Sequence, residues 1–262
     1  MREKKLVSLF ALTLAICVST PQANGGGAPP DTDAVGGGDL KGTVRFEGAL
    51  PKPKLISMSA DPSCAKQHSS PVFAQEVMAD SKGDLQNVIV FVSEGLRDRT
   101  FDPPTQPVVV EQKGCMYTPH VLAVRANQPL HVVNDDPTSH NIHPTPANNR
   151  EWNKAEPPGS SVDESFAREE IAIPVKCNLH PWMHGYIAVF KHPYFAVTGK
   201  DGSFDLSSLP PGTYTIKAWH EKLGTSTQTI TIAQTRPRRS VSFSKECNSS
   251  QCFLKPLRRC SL

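Results

Sequence analysis

The sequence predicts an all-β protein built as β-sandwiches. Three observations carry that prediction. Short runs of β-branched and aromatic residues recur along the chain, turn signals separate them, and no segment has the period of a long amphipathic helix. The 24 prolines and 17 glycines, many in short clusters, fit strands and loops better than helices. A hydrophobic content of 38% with 20% charged residues is that of an ordinary globular chain. The net charge of +3 is too small to call for nucleic acid.

Residues 1–23 read as an export signal, with basic Arg2, Lys4 and Lys5, an apolar stretch over 6–18 and a cleavage point at Ala23. A lipoprotein signal ending at Cys17 is the alternative. The stretch is too short for a membrane span and no later segment is long enough, so a periplasmic or secreted protein without a transmembrane segment is expected. Residues 24–38 (NGGGAPPDTDAVGGG) carry no apolar period and read as a flexible linker.

The strands follow. Residues 42–46 (GTVRF) alternate, and 88–92 (VIVFV) form a continuous apolar run expected of a buried strand. Runs at 108–111, 121–124 and 130–133 continue the pattern, and 171–175 and 186–190 flank the heptapeptide CNLHPWM at 177–183. Residues 196–204 offer a strand, a turn through Lys200, Asp201 and Gly202, and a second strand, as in a hairpin. Leu209-Pro-Pro-Gly212 is a tight turn feeding 213–219, and 227–232 and 240–243 complete the strands. Residues 245–262 extend no strand pattern, and Cys247, Cys252 and Cys260 lack a fourth ligand for a zinc site, so a disordered Cys-containing tail is expected.

The heptapeptide carries the chemistry. Cys177, His180 and Met183 bring a thiol, an imidazole and a thioether together, and His140 supplies a second imidazole. Two His, one Cys thiolate and a weak axial Met are the donors of a mononuclear copper electron-transfer site. Zinc is the second reading, because the same thiolate and imidazoles suit it. A ligand thiolate cannot be bridged, which leaves Cys64 and Cys115 as the disulfide pair of an exported body; two buried free thiols are the alternative. Pro137 is expected to hold the approach to His140 extended. His143 differs from His140 in strand parity and should face the other way. His184 reads as an exposed loop residue. His120 has either a structural role or a place near the metal, while His68, His131, His192 and His220 read as surface or satisfied structural residues.

Over residues 108–190 the chain resembles the cupredoxin (plastocyanin-like blue copper) family. Asn134-Asp-Asp-Pro-Thr-Ser-His140-Asn141-Ile142 looks like the family's asn-x-asp…his-asn-val segment, and Cys177 with His180 matches its cys-x-x-his pair. The resemblance implies His140, Cys177 and His180 as equatorial copper ligands, Met183 as the axial candidate, and Asn141 as a residue tying the ligand loops together. Met183 follows His180 by three residues, a shorter gap than in plastocyanin-type loops, so its part as ligand stays open. Lys176 stands where a binuclear copper centre would need a second Cys.

Residues 196–219, with their asp-gly-x-phe and leu-pro-pro-gly-x-tyr patterns, resemble the carboxypeptidase regulatory-like (transthyretin-like) β-sandwich. Residues 42–46 and 88–92 match that family's opening strands. The expected organisation is therefore a discontinuous regulatory-like sandwich over 39–100 and 193–244, with a cupredoxin-like module inserted at 101–192. Two sequential domains are the simpler alternative.

No Gly-x-Ser-x-Gly elbow or His-Glu-x-x-His helix occurs, and adjacent Asp135 and Asp136 would face opposite sides of a strand, so a hydrolase is not expected. The function expected is one-electron transfer, rather than catalysis, by one copper ion with an unidentified redox partner protein. Copper storage or delivery is the close alternative. A cell-surface module contacting a glycan or protein through the regulatory-like domain is the third.

Overall fold

A computed structural model of the chain describes residues 12–19 and 37–233. In chain order the strands are β1 (Leu12–Ser19), β2 (Gly38–Phe46), β3 (Ile89–Glu94), β4 (Val108–Lys113), β5 (Met116–Thr118), β6 (Val121–Arg125), β7 (Leu130–Asn134) and β8 (His140–Pro144). They continue as β9 (Lys154–Glu156), β10 (Ser161–Glu164), β11 (Glu170–Lys176), β12 (His184–Phe190), β13 (Phe195–Val197), β14 (Ser203–Leu209), β15 (Gly212–His220) and β16 (Gly224–Ile232). Among the described residues one short helix, α1 (Pro62–Ala65), interrupts them, so the fold is all-β.

The strands form four sheets, ordered β1-β2-β14, β13-β3-β15-β16, β6-β12-β11-β8-β9 and β10-β7-β4-β5. The first two draw on residues before 95 and after 194, and the last two on residues 108–190. Most pairings are antiparallel, but β4 with β7 and β6 with β12 run parallel. Among the described residues, three of the four apolar clusters pack the sheets. Leu40, Val44, Val90, Leu206 and Ile216 fill the outer sandwich, and Val110, Val132, Ile142, Ile173 and Ile187 fill the inner one. Between the sandwiches, Ile89 and Phe91 of β3 meet Val121, Ala188 and Phe190 of β6 and β12.

This third core explains the continuous apolar runs. Val90 and Val92 face the outer core while Ile89 and Phe91 face the junction. In the same way Ile187 and Val189 face the inner core while Ala188 and Phe190 face the junction. A strand buried on both faces has no position left for a polar residue.

One expectation changes. Residues 196–204 are not a hairpin: β13 pairs with β3 and β14 pairs with β2, so the turn carries the chain from one sheet to the other. Gly202 takes a φ of 65° there, and a Cβ would lie 2.6 Å from the Val44 carbonyl oxygen. The hydrophobic effect favours this arch, because each strand buries Phe204, Leu206 or Ala196 against the shared outer core. Residues 12–19 pair antiparallel with β2, from Leu12 opposite Phe46 to Ser19 opposite Asp39. The expected strand at 240–243 and the tail at 245–262 lie outside the described residues.

The Leu-Pro-Pro-Gly turn has a physical closure. The Tyr214 hydroxyl donates to the Pro210 carbonyl at 2.7 Å, so the aromatic ring can enter the outer core with its polar end satisfied.

Phe190 is fully buried, with Phe195 stacked at 4.6 Å and Phe91 at 5.1 Å between ring centroids. Phe190→Ala should cost about 3–5 kcal/mol of unfolding free energy in a urea titration. A loss no larger than that of a surface substitution, about 0.5 kcal/mol, would mean the junction core does not hold the sandwiches together.

Candidate metal centre

Strand parity aims the donors. Ile173 and Val175 of β11 point into the inner core, and Cys177 continues that alternation one residue past the strand. His140 and Ile142 of β8 share one face in the same way, and both are buried. Two backbone bonds close the loop after Cys177: Cys177 N–H donates to the Met183 carbonyl at 3.0 Å and Met183 N–H to the His180 carbonyl at 2.9 Å. The loop turns His180 inward while Leu179 and Pro181 face solvent.

The result is a convergence of three donors. One ligand atom each from His140, Cys177 and His180 lies within 4.8 Å of the others. His140 Nδ1 and His180 Nδ1 are 3.0 Å apart, and Cys177 Sγ is 3.7 Å from His180 Nδ1. The opposite edge of each ring faces a carboxylate. His140 Nε2 lies 2.8 Å from Asp136 Oδ2, and His180 Nε2 lies 3.0 Å from Asp61 Oδ2. A carboxylate only accepts, so both Nε2 atoms carry protons and donate. Both Nδ1 lone pairs then face each other and a thiol in a buried space. A proton or a metal cation has to lie between them.

The carboxylates are themselves held. Asp136 accepts from Gly114 N–H at 2.6 Å and Cys115 N–H at 2.7 Å, and Asp61 caps α1 by accepting from Ser63 N–H at 2.8 Å. Burial raises Asp136, but the bonds from His140, Cys115 and Gly114 outweigh it and hold the carboxyl below its usual range. Asp61 is held well below the usual range by its bonds from Ser63 and His180. The Cys64–Cys115 disulfide, with Cα atoms 5.6 Å apart, joins the backbones behind both carboxylates. Among residues 37–233 Cys177 is the free cysteine, and it is buried.

Asn141 bridges strand and loop. Its Oδ1 accepts from Asn178 N–H at 2.7 Å and lies 3.4 Å from Cys177 Sγ, while its Nδ2 donates to Asn153 at 2.7 Å. Met183 is fully buried in the inner core beside Cys177. Trp182 covers the other side: its indole donates to the Cys115 carbonyl at 3.2 Å and its ring centroid lies 5.1 Å from that of His180.

Two histidines, His184 and His220, differ from expectation. His143 does face away from His140, half-buried and bonded to Asn178 and Glu151. His120 is not at the thiolate site but in a separate cluster with His184 and Glu221. His184 begins β12 and is half-buried, because its ring is drawn back to the Trp182 carbonyl at 3.0 Å. His220 is buried with its Nε2 unpartnered, so it is not a satisfied residue. The approach to His140 is a bend at 136–138, not an extended segment. The Asn134 side chain imposes it, accepting from Asp136 N–H at 3.0 Å and donating to the Thr138 carbonyl at 2.9 Å.

Sequence reasoning missed Asp61 and Asp136. Asp136 stands four residues before His140 and had a signal in that spacing. Asp61 precedes Pro62 as a helix cap, which is readable, but its reach to His180 across 119 positions is not.

No protein-family model matches the chain, and no curated protein does. Among solved structures, the copper-containing nitrite reductase from Thermus scotoductus SA-01 is similar at 19% identity, over 37% of this chain, with a TM-score of 0.31. That match spans 25% of the reductase, a quarter of its length. A purple cupredoxin from Nitrosopumilus maritimus is similar at 26% identity over 28% of this chain and 81% of its own, with a TM-score of 0.25. A point mutant of amicyanin in its Cu(I) form is similar at 17% identity over 38% of this chain and 97% of its own, with a TM-score of 0.29.

The donors' protons decide how a cation would enter. Burial raises the Cys177 thiol, but the bond from His140 and the backbone N–H groups of Asn141, His180 and Leu179 outweigh it and bring the group down to about 6. Burial lowers His140, but Asp136 and the thiolate outweigh it and push the imidazole up to about 9. Between these values the metal-free site holds a thiolate and an imidazolium, and a cation must displace the imidazolium proton. Apparent metal affinity should therefore rise about tenfold per pH unit from about pH 6 to about pH 9 and then level off. Calorimetry in buffers of different ionisation enthalpy would read about one proton released per ion in that window. Affinity independent of pH there would refute the thiolate–imidazolium pairing.

Proposed function

We propose that this chain is an exported copper protein that carries single electrons. His140, Cys177 and His180 would be the equatorial donors and Met183 the weak fourth. The observation that carries this reading is the buried convergence of two imidazole Nδ1 atoms and one unbridged thiol, with both Nε2 atoms committed to carboxylates. A thiolate with two imidazoles fits copper in donor type. Bound copper supplies a reversible one-electron couple.

The chain's own residues do the remaining work. Asp136 and Asp61 set the tautomer and orientation of the two rings, the role outer partners play at metal sites. Asn141 holds the Cys177 loop to β8, and Trp182 and Met183 keep solvent from the thiolate. Donors fixed in a packed core move little between two oxidation states, which favours electron transfer over storage. Leu179, 58% exposed, stands next to buried His180 and offers an apolar surface to a redox partner protein.

The two outer sheets fit a regulatory-like accessory sandwich, with the copper module inserted between β3 and β13. The N-terminal sequence supports export; the protein recovered from a periplasmic or secreted fraction should begin after Ala23 by intact mass.

The deciding experiment is the visible spectrum after adding Cu(II). An intense thiolate-to-copper band at one copper per chain is expected, and Cys177→Ser should abolish it while the β-sheet circular dichroism is kept. Zinc bound in preference to copper, or copper bound without the band, would overturn the electron-carrier reading.

A further inference from the structure

A second group of donors lies where the two sandwiches meet. His120 precedes β6, His184 opens β12, and Glu221 sits in the turn between β15 and β16. One ligand atom from each lies within 4.8 Å of the others. The side chains of His120 and Glu221 are only 3% and 2% exposed, and His184 is half-buried.

The hydrogen bonds set the donor atoms. His120 Nδ1 lies 3.1 Å from the His184 carbonyl, and His184 Nδ1 lies 3.0 Å from the Trp182 carbonyl. Carbonyls only accept, so both Nδ1 atoms carry the proton. Both Nε2 atoms are then left as donors of a lone pair. His120 Nε2 points at Glu221 Oε1 from 2.5 Å, while Glu221 Oε2 is buried with no hydrogen-bond partner. The cation nearest that oxygen, Lys222 Nζ, is 4.0 Å away and pairs with Glu76 at 3.0 Å. A lone pair facing a carboxylate needs a shared cation: a proton at this separation, or a metal ion that both atoms ligate once they move slightly apart. The orphaned oxygen and the free His184 Nε2 favour the ion, since one proton would leave both unused.

Backbone geometry supports the arrangement. Tyr186 N–H donates to the His120 carbonyl at 2.9 Å, and that carbonyl comes so near Gly185 that a Cβ would lie 2.6 Å from it. Glycine at 185 thus lets the His120 loop settle on β12 beside His184.

We propose that His120, His184 and Glu221 form a second metal site, which takes a divalent first-row transition ion and clamps the outer sandwich to the inner one. Two imidazoles and one carboxylate are borderline and hard donors, suited to Zn²⁺ and its neighbours and unlike the thiolate centre. The proposal does not depend on copper binding at Cys177.

The test uses Zn²⁺ with the full chain carrying Cys177→Ser. Calorimetry should find a Zn²⁺ site that weakens by more than about tenfold when Glu221→Gln or His184→Asn is added. Zn²⁺ should also raise the unfolding temperature of the Cys177→Ser protein but not of the versions with the added substitution. Glu221→Gln alone, with Cys177 intact, should keep the copper charge-transfer band if copper binds there. His184 is half-buried, so His184→Asn keeps the test open if Glu221→Gln fails to fold. No Zn²⁺ binding in the Cys177→Ser protein, or binding unchanged by both additions, would overturn the second site.

Discussion

Two imidazole lone pairs and a thiolate cannot sit together in a dry core without a positive charge between them. Most of what surrounds His140, Cys177 and His180 follows from that constraint. Asp136 and Asp61 take the outer N–H of each ring, which turns the lone pairs inward and fixes them there. In the metal-free protein the charge is the His140 proton, and it sits where a cation would bind. Burial sharpens the effect, since desolvated charges interact more strongly than exposed ones.

The supporting residues come from far along the chain. Asp61 lies before the inner sandwich begins, yet it orients His180 from the cap of α1. The Cys64–Cys115 disulfide ties that cap to the same backbone whose N–H groups hold Asp136. The junction core and the His120–His184–Glu221 cluster join the sandwiches at other points. The segment between β2 and β3 is therefore part of the site's framework.

Periodicity made the strands legible. The runs at 88–92 and 186–190 stood out because both faces of β3 and β12 are buried. Short strands such as β5, β9 and β10 did not stand out, because a three- or four-residue edge strand holds too few positions to show a period. The turn at Lys200-Asp201-Gly202 was read correctly as a turn, but no local feature says whether flanking strands pair with each other or with different sheets. Packing against the shared core decides that.

By itself, the sequence determined the all-β class, the opposite facing of His140 and His143, and the thiol, thioether and imidazole donors of the heptapeptide. These depend on alternation and local spacing, which the chain carries in its order of residues. The tertiary structure alone decided that Asp61 and Asp136 hold the two rings, that His120 belongs with Glu221, and that residues 196–204 form an arch. Each of those depends on contacts between residues far apart in the chain, and such contacts are chosen by the packing of whole sheets.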